Sequence, residues 1–345
     1  MKATINDVAR ISGYSKTSVS FAFNDPKRIS PTARQKILSV ADDLGYFPDP
    51  AARHLSMRRI GSVGFLTPHG VEASFLNPYI VEVFRGVSAT MQAHGLTVTV
   101  VSMAQDVIVE AIRNAAVGGF ISLGLQPEDA VRDLIVRRSI PFVTVDAGPL
   151  EGISSVNIRD RKAAETQMEM VLHDGHTNVG IVAFEEPTAS EEATASDIYA
   201  QRIIGYTQAL EAAGLPSAGS EQIPVVHASA TIDGGYRAAK DLLARYPDMT
   251  AIVSMCDVAT AGIYLACEEL GLQIPRDISV AGFDDIPNNQ SLRPSLTTIS
   301  QPGFRKGETA AHVLLENMED PESYVHRLLA YEIIHGQSVS APRAR

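Results

Sequence analysis

Residues 4–24 read TINDVARISGYSKTSVSFAFN, and the stretch predicts two short helices joined by a tight turn at Ser12-Gly13-Tyr14. Thr4 can cap the first helix, and the charge of Asp7, three residues on, favours a helix start. Ile5, Val8 and Ala9 then recur at i, i+3 and i+4, which is one apolar face. Gly13 supplies a turn that a bulkier residue would strain. Ser15 can cap the second helix, whose inward residues are Val19, Ala22 and Phe23. A third helix is announced by Ser30 as cap and Pro31 at the first helical position; Ile37, Val40, Ala41 and Leu44 face inward, and Gly45 ends it.

Three short helices around one small core fit a DNA-reading headpiece, although a helical cap with no DNA role has the same pattern. Charge separates the two readings. Residues 1–59 hold ten Lys and Arg against five Asp, a net of +5, whereas the remainder holds 19 basic and 35 acidic residues, a net of −16. A basic head on an acidic body suits one end that neutralises phosphates and another that stays off DNA.

The length of 345 residues allows one small domain and a larger body. No apolar run is long enough to span a bilayer, and the N-terminus enters a capped helix with no signal-peptide pattern. Neither Cys256 nor Cys267 belongs to a CxxC pair, so a reducing, cytoplasmic setting is expected. After Met57 short apolar runs at 62–66, 96–101, 120–123, 142–145, 179–184, 223–226, 251–254 and 278–283 alternate with amphipathic stretches. This alternation predicts an α/β body of parallel sheets with helices on both faces, too many units for one sheet and so two lobes.

The head string TINDVARISGYSKTSVS, the following PDPAARHLS, and RDISVAGFDD at 276–285 with PSLTTISQP at 294–302 together resemble the lactose/galactose-repressor (LacI/GalR) family. The resemblance implies a helix-turn-helix head at 1–47, a hinge helix and linker at 48–58, and a two-lobed, periplasmic-binding-protein-like body of doubly wound sheets at 59–345. Lobe 1 is expected over about 59–157 and 290–320, lobe 2 over about 158–289 and 321–345, with crossings near Asn157, Asn289 and Asp320. It implies a homodimer on a pseudo-palindromic operator and a regulator of transcription, most simply a repressor.

By the same resemblance Thr4, Ser15, Ser18, Ser20 and Asn24 lie on the DNA-binding surface, with Lys16, Thr17 and Phe21 turned to base edges. Ala52, Arg53 and Leu55 enter the minor groove, Leu55 as the wedge. Phe21 stands where many members carry a polar or basic residue; it can pack on a thymine methyl or fold back into the core. Effector contacts are implied at Phe75, Asn77, Tyr79, Asp146, Arg202, Asp257 and Asp284. Carboxylates, a guanidinium and an aromatic face suit a polyhydroxylated ligand, and a sugar is the expected effector. Asp257 and Asp284 can equally cap a helix or turn. The absence of tryptophan weakens a nucleobase reading. No GxGxxG, P-loop, GxSxG or HExxH pattern appears, and the histidines are scattered, so no enzyme, cofactor or metal is expected. The remaining alternatives are a cytoplasmic sugar-binding protein with a vestigial head, and an activator.

Overall fold

The computed structural model describes residues 3–46, 61–68, 70–102, 117–185 and 197–343, with only the backbone of Asn24 and Ala130. Two compact units result, 1–61 and 62–345. The hinge expected at 48–58, with Ala52, Arg53 and Leu55, lies outside the described residues.

The head is three helices: α1 (Ile5–Ser12), α2 (Lys16–Asn24) and α3 (Pro31–Asp43). Thr4 and Asp7 form a reciprocal capping box at the start of α1, and Gly13 closes that helix with φ 76°. Ser15 and Ser30 cap α2 and α3 by accepting from Ser18 N (3.1 Å) and Ala33 N (3.3 Å). Val8, Val19, Ala22, Ile37 and Ala41 make the buried core, with Phe23 and Leu44 packed at its edge.

Among the described residues the body is two six-stranded sheets. In lobe 1 the strands are β1 (Ser62–Thr67), β2 (Thr97–Ser102), β3 (Phe120–Leu123), β4 (Phe142–Val145) and β5 (Ser154–Asn157). β11 (His326–Leu328) joins them beside β5, giving the order β11-β5-β4-β3-β1-β2. The described helices of this lobe are α4 (Val71–Phe75), α5 (Pro78–Ala93), α6 (Asp129–Arg137) and α11 (Gly303–Glu319). Lobe 2 has β6 (Val179–Phe184), β7 (Val225–Ala228), β8 (Ala251–Ser254), β9 (Ser279–Asp284), β10 (Thr297–Ser300) and β12 (Glu332–Ile334) in the order β12-β10-β9-β8-β6-β7. Its described α-helices are α7 (Asp160–His173), α8 (Ile198–Ala212), α9 (Ile232–Arg245) and α10 (Asp257–Glu269).

Strand periodicity explains the doubly wound form. Along β6 and β8, Val179, Ile181, Ala251 and Val253 enter the core beneath α7 and α8, while Val182 and Ile252 enter the core beneath α9 and α10. Both faces are apolar because both are covered. Helices α5 and α11 approach until backbone meets backbone: a Cβ on Gly86 would stand 2.0 Å from the Phe304 carbonyl oxygen, and one on Gly307 2.0 Å from that of Val83.

The chain passes between the lobes after β5, after β10 and between β11 and β12. This corrects two expected crossings. β10 pairs in parallel with β9 from Thr297↔Ala281 to Ser300↔Asp284, so the chain stays in lobe 2 past Asn289 and leaves it at 301–302. β11 pairs with β5, so lobe 1 extends past Asp320 and the last passage falls at 329–331. In both places backbone pairing to an existing sheet, which leaves little trace in a short strand's sequence, fixes the lobe.

Candidate functional site

On the head, Lys16 and Thr17 are exposed and Ser18, Ser20 and Phe21 half-buried, whereas Val19 and Ala22 are buried in the core. Of the two readings of Phe21, folding into the core does not occur. Phe23 packs on the core and meets Tyr46 edge-on at 5.9 Å, whereas Phe21 lies outside that cluster with the Arg28 guanidinium 5.5 Å from its ring centre. Ser15 and Thr4 serve as helix caps, and the Asn24 side chain is outside the described residues.

In the body the expected effector residues divide into two groups. Asn77 is a helix cap, accepting from Tyr79 N at 3.0 Å. Phe75 stacks edge-on against Phe84 at 5.2 Å. Asp257 is an internal brace of lobe 2: its carboxylate accepts from Asp285 N (2.7 Å), Asn289 Nδ2 (2.6 Å) and Thr298 Oγ1 (3.0 Å). Tyr79, Asp146, Arg202 and Asp284 converge on the cleft, all at least nine-tenths buried. Asp146, just after β4, and Asp284, the last residue of β9, have φ 55° and 127°, a backbone region few non-glycine residues adopt.

Three further residues complete this cluster. Lys306, buried on the first turns of α11, pairs with Asp146 Oδ1 and donates to Tyr79 OH (3.0 Å) and Gln301 Oε1 (2.6 Å). Tyr79 OH donates to the other Asp146 oxygen at 2.5 Å. Gln301 Nε2 donates to Asp284 Oδ1 at 2.5 Å. Arg202 gives Nε and Nη2 to Asp160 Oδ1 and Nη1 to the Met255 carbonyl, with Phe283 lying 3.6 Å from its guanidinium carbon. The signal for Lys306 was a cation on an inward stripe that otherwise reads Gly303, Gly307, Ala310, Val313 and Leu314.

Burial governs the titration here. It pushes Asp284 up to about 8, with the charge of Asp257 adding to it, and Asp257 up to about 6. Burial and then the Asp146 carboxylate raise the Tyr79 phenol well above its ordinary value, keeping it a hydrogen-bond donor. Asp160 is raised by burial despite the Arg202 charge beside it. Burial alone would lower the Arg202 guanidinium, but the Asp160 and Asp284 carboxylates turn the net shift upward. Cys256 is buried at the start of α10, its thiol pushed up by burial; it belongs to the same apolar cluster as Tyr79, Ile80 and Ile286, which joins the lobes.

A cavity of about 190 Å³ opens beside this cluster, lined by Tyr79, Glu82, Asp284, Asp285 and Gln301. A wider groove of about 680 Å³ lies at the opposite end of the lobe 2 strands, beside Met249, Leu272 and Ile278. It is the larger of the two and carries Lys240, Asp277 and Arg343 in its lining, but ligands of open α/β sheets sit at the carboxyl ends of the strands, where the cluster is. Among the described residues no cluster could hold a metal ion, and no helix is long and apolar enough to cross a membrane.

A helix-turn-helix head and a two-lobed α/β body with a polar cleft define a ligand-responsive DNA-binding regulator. Residues 4–49 match the model for bacterial regulatory proteins of the lacI family, and 168–339 the periplasmic binding protein-like domain. Catabolite control protein A of Priestia megaterium is 30% identical over 329 residues, covering 92% of this chain and 93% of its own. Among solved structures, the lac repressor dimer bound to operator and an anti-inducer superposes with a TM-score of 0.83 at 21% identity, covering 99% of this chain and 100% of that one. The regulator CelR in complex with cellobiose superposes at 0.71 and 22% identity, covering 97% and 99%. The chain belongs to the LacI family. It is a DNA-binding transcriptional regulator with an effector-binding body, of a family made of regulators and not enzymes.

Proposed function

We propose that this chain is a cytoplasmic repressor that binds a pseudo-palindromic operator as a homodimer and changes its operator affinity when a small polyhydroxylated ligand, a sugar or sugar derivative, enters between the lobes. The observation that carries the ligand class is the convergence of Tyr79 and Asp146 from lobe 1 with Arg202, Asp160 and Asp284 from lobe 2. Carboxylate oxygens accept paired hydroxyls, and the guanidinium keeps N–H donors beyond the three it has spent. The cellobiose bound by CelR, a structural neighbour, supports the same class.

On the head, Lys16, Thr17 and Phe21 read base edges while Ser15, Ser18, Ser20 and Asn24 approach phosphates. Ala52, Arg53 and Leu55 enter the minor groove. Effector and operator are coupled through the lobe angle, so each changes the affinity for the other by one factor. A thermal-shift screen of mono- and disaccharides tests the ligand class, since a ligand of the native body raises its melting point. Calorimetry of the hit with and without operator tests the coupling. No stabilisation by any sugar, or a hit of equal affinity in both states, would falsify this reading.

A further inference from the structure

An ammonium has three N–H donors and no acceptor. On Lys306 all three are engaged, by Asp146 Oδ1, Tyr79 OH and Gln301 Oε1, and the side chain is fully buried. It therefore offers no donor to an incoming ligand. Gln301 is oriented by two of its neighbours. Its oxygen must face the ammonium, so its NH₂ faces Asp284, where it donates at 2.5 Å. Its backbone N–H also donates to the Asp284 carbonyl at 3.3 Å.

The contacts Asp146–Lys306–Gln301–Asp284 thus run from the end of β4 in lobe 1 to the end of β9 in lobe 2. The adjoining cavity of about 190 Å³ shares Tyr79, Gln301 and Asp284 with this chain.

We infer that Lys306 and Gln301 form an internal latch that ties the end of β4 in lobe 1 to the end of β9 in lobe 2 and so sets the lobe angle. They are positioning residues: they set the lobe angle. This rests on the effector reading of the cleft but is tested without any effector.

Spin labels on Arg137→Cys in lobe 1 and Arg237→Cys in lobe 2, both exposed positions, report the lobe separation in the full chain. The native Cys256 and Cys267 are buried, with thiols pushed up by burial, and do not compete for the label. Labelled chains diluted in unlabelled ones give intramolecular distances by pulsed dipolar spectroscopy. The latch predicts one narrow distance for the parent. It predicts a longer or bimodal distribution for Gln301→Ala and Lys306→Met, and a distribution nearer the parent's for Lys306→Arg. Gln301→Ala leaves the Lys306–Asp146 pair intact and decides the matter even if Lys306→Met does not fold. A parent-like distribution in folded Gln301→Ala overturns the latch whatever the sugar screen returns. A failed screen with a shifted distribution overturns only the choice of ligand.

Discussion

Arg202 and Asp160 form a buried ion pair in which a single carboxylate oxygen, Oδ1, accepts from both Nε (3.1 Å) and Nη2 (2.9 Å). Removing one member of such a pair strands the other charge in a low dielectric, at a cost of about 3–5 kcal/mol. Arg202→Met should lower the unfolding free energy of the body by that amount in urea titrations. Arg202→Met with Asp160→Leu should recover most of it, because no charge is left behind. The double variant should still lack the thermal shift by effector. A single variant as stable as the parent would show that water reaches the pair.

The raised carboxylates of lobe 2 give stability a sign with pH. An unfolded Asp releases its proton near 3.9, whereas folded Asp257 and Asp284 hold theirs to about 6 and about 8. The folded state then binds more protons across this window, so its advantage is complete below pH 4 and declines as pH rises through 6 and 8. His176 runs the other way: burial lowers its folded value, so its contribution rises with pH and is complete above the unfolded value near 6.5. Between pH 7 and 7.5, before unfolded cysteines begin to ionise near 8.5 and the raised thiols of Cys256 and Cys267 add to the trend, the slope belongs to Asp284, and the melting temperature of the full chain should fall. A level or rising trace would mean that Asp284 is already ionised.

Phe21 and Phe23 are two residues apart yet should behave oppositely. Phe23 packs on the head core, so Phe23→Ala should cost the head about 3 kcal/mol. Phe21→Ala should cost well under about 1 kcal/mol, as surface changes do, while altering which sequences are recovered when a randomised operator pool is selected. Identical recovered sequences would remove Phe21 from base reading and leave it as a platform for Arg28.

Gly307→Ala should be among the most damaging single-methyl additions in lobe 1. Its Cβ would lie 2.0 Å from the Val83 carbonyl oxygen, and neither helix backbone can yield locally. About 3 kcal/mol or more is expected, the upper end for overpacking, read as an earlier urea midpoint. Gly95→Ala adds the same methyl with nothing within 4 Å; at φ 70° it carries backbone strain alone and should cost less.

Much of the head was legible because its signals are local. Thr4, Ser15 and Ser30 act within four residues of themselves, and the apolar spacing of α1 needs no partner. The strands buried on both faces were legible as runs. The lobe boundaries at Asn289 and Asp320 were misplaced because β10 and β11 are short, and pairing across the chain decides their sheet. Two of the expected effector residues, Asn77 and Asp257, also bond within the fold, to α5 and to Asn289 and Thr298, partners that lie too far along the chain, or depend too much on the fold, for residue type to announce. Lys306 was passed over because its meaning depends on Asp146, 160 residues away in the chain.

Three passages join the lobes, at 158–159, 301–302 and 329–331. Two bodies tied by one thread tumble, and tied at two points they swivel. Three short tethers leave bending as the one inexpensive motion, because sliding or twisting would stretch at least one of them. Whatever a ligand touches inside, the body has a single coordinate on which to register it. On the proposed coupling through the lobe angle, chemically unlike ligands that produce the same change in that angle are indistinguishable to the genes downstream. Selection could exchange one effector for another by altering the lining alone, with the output stage left untouched.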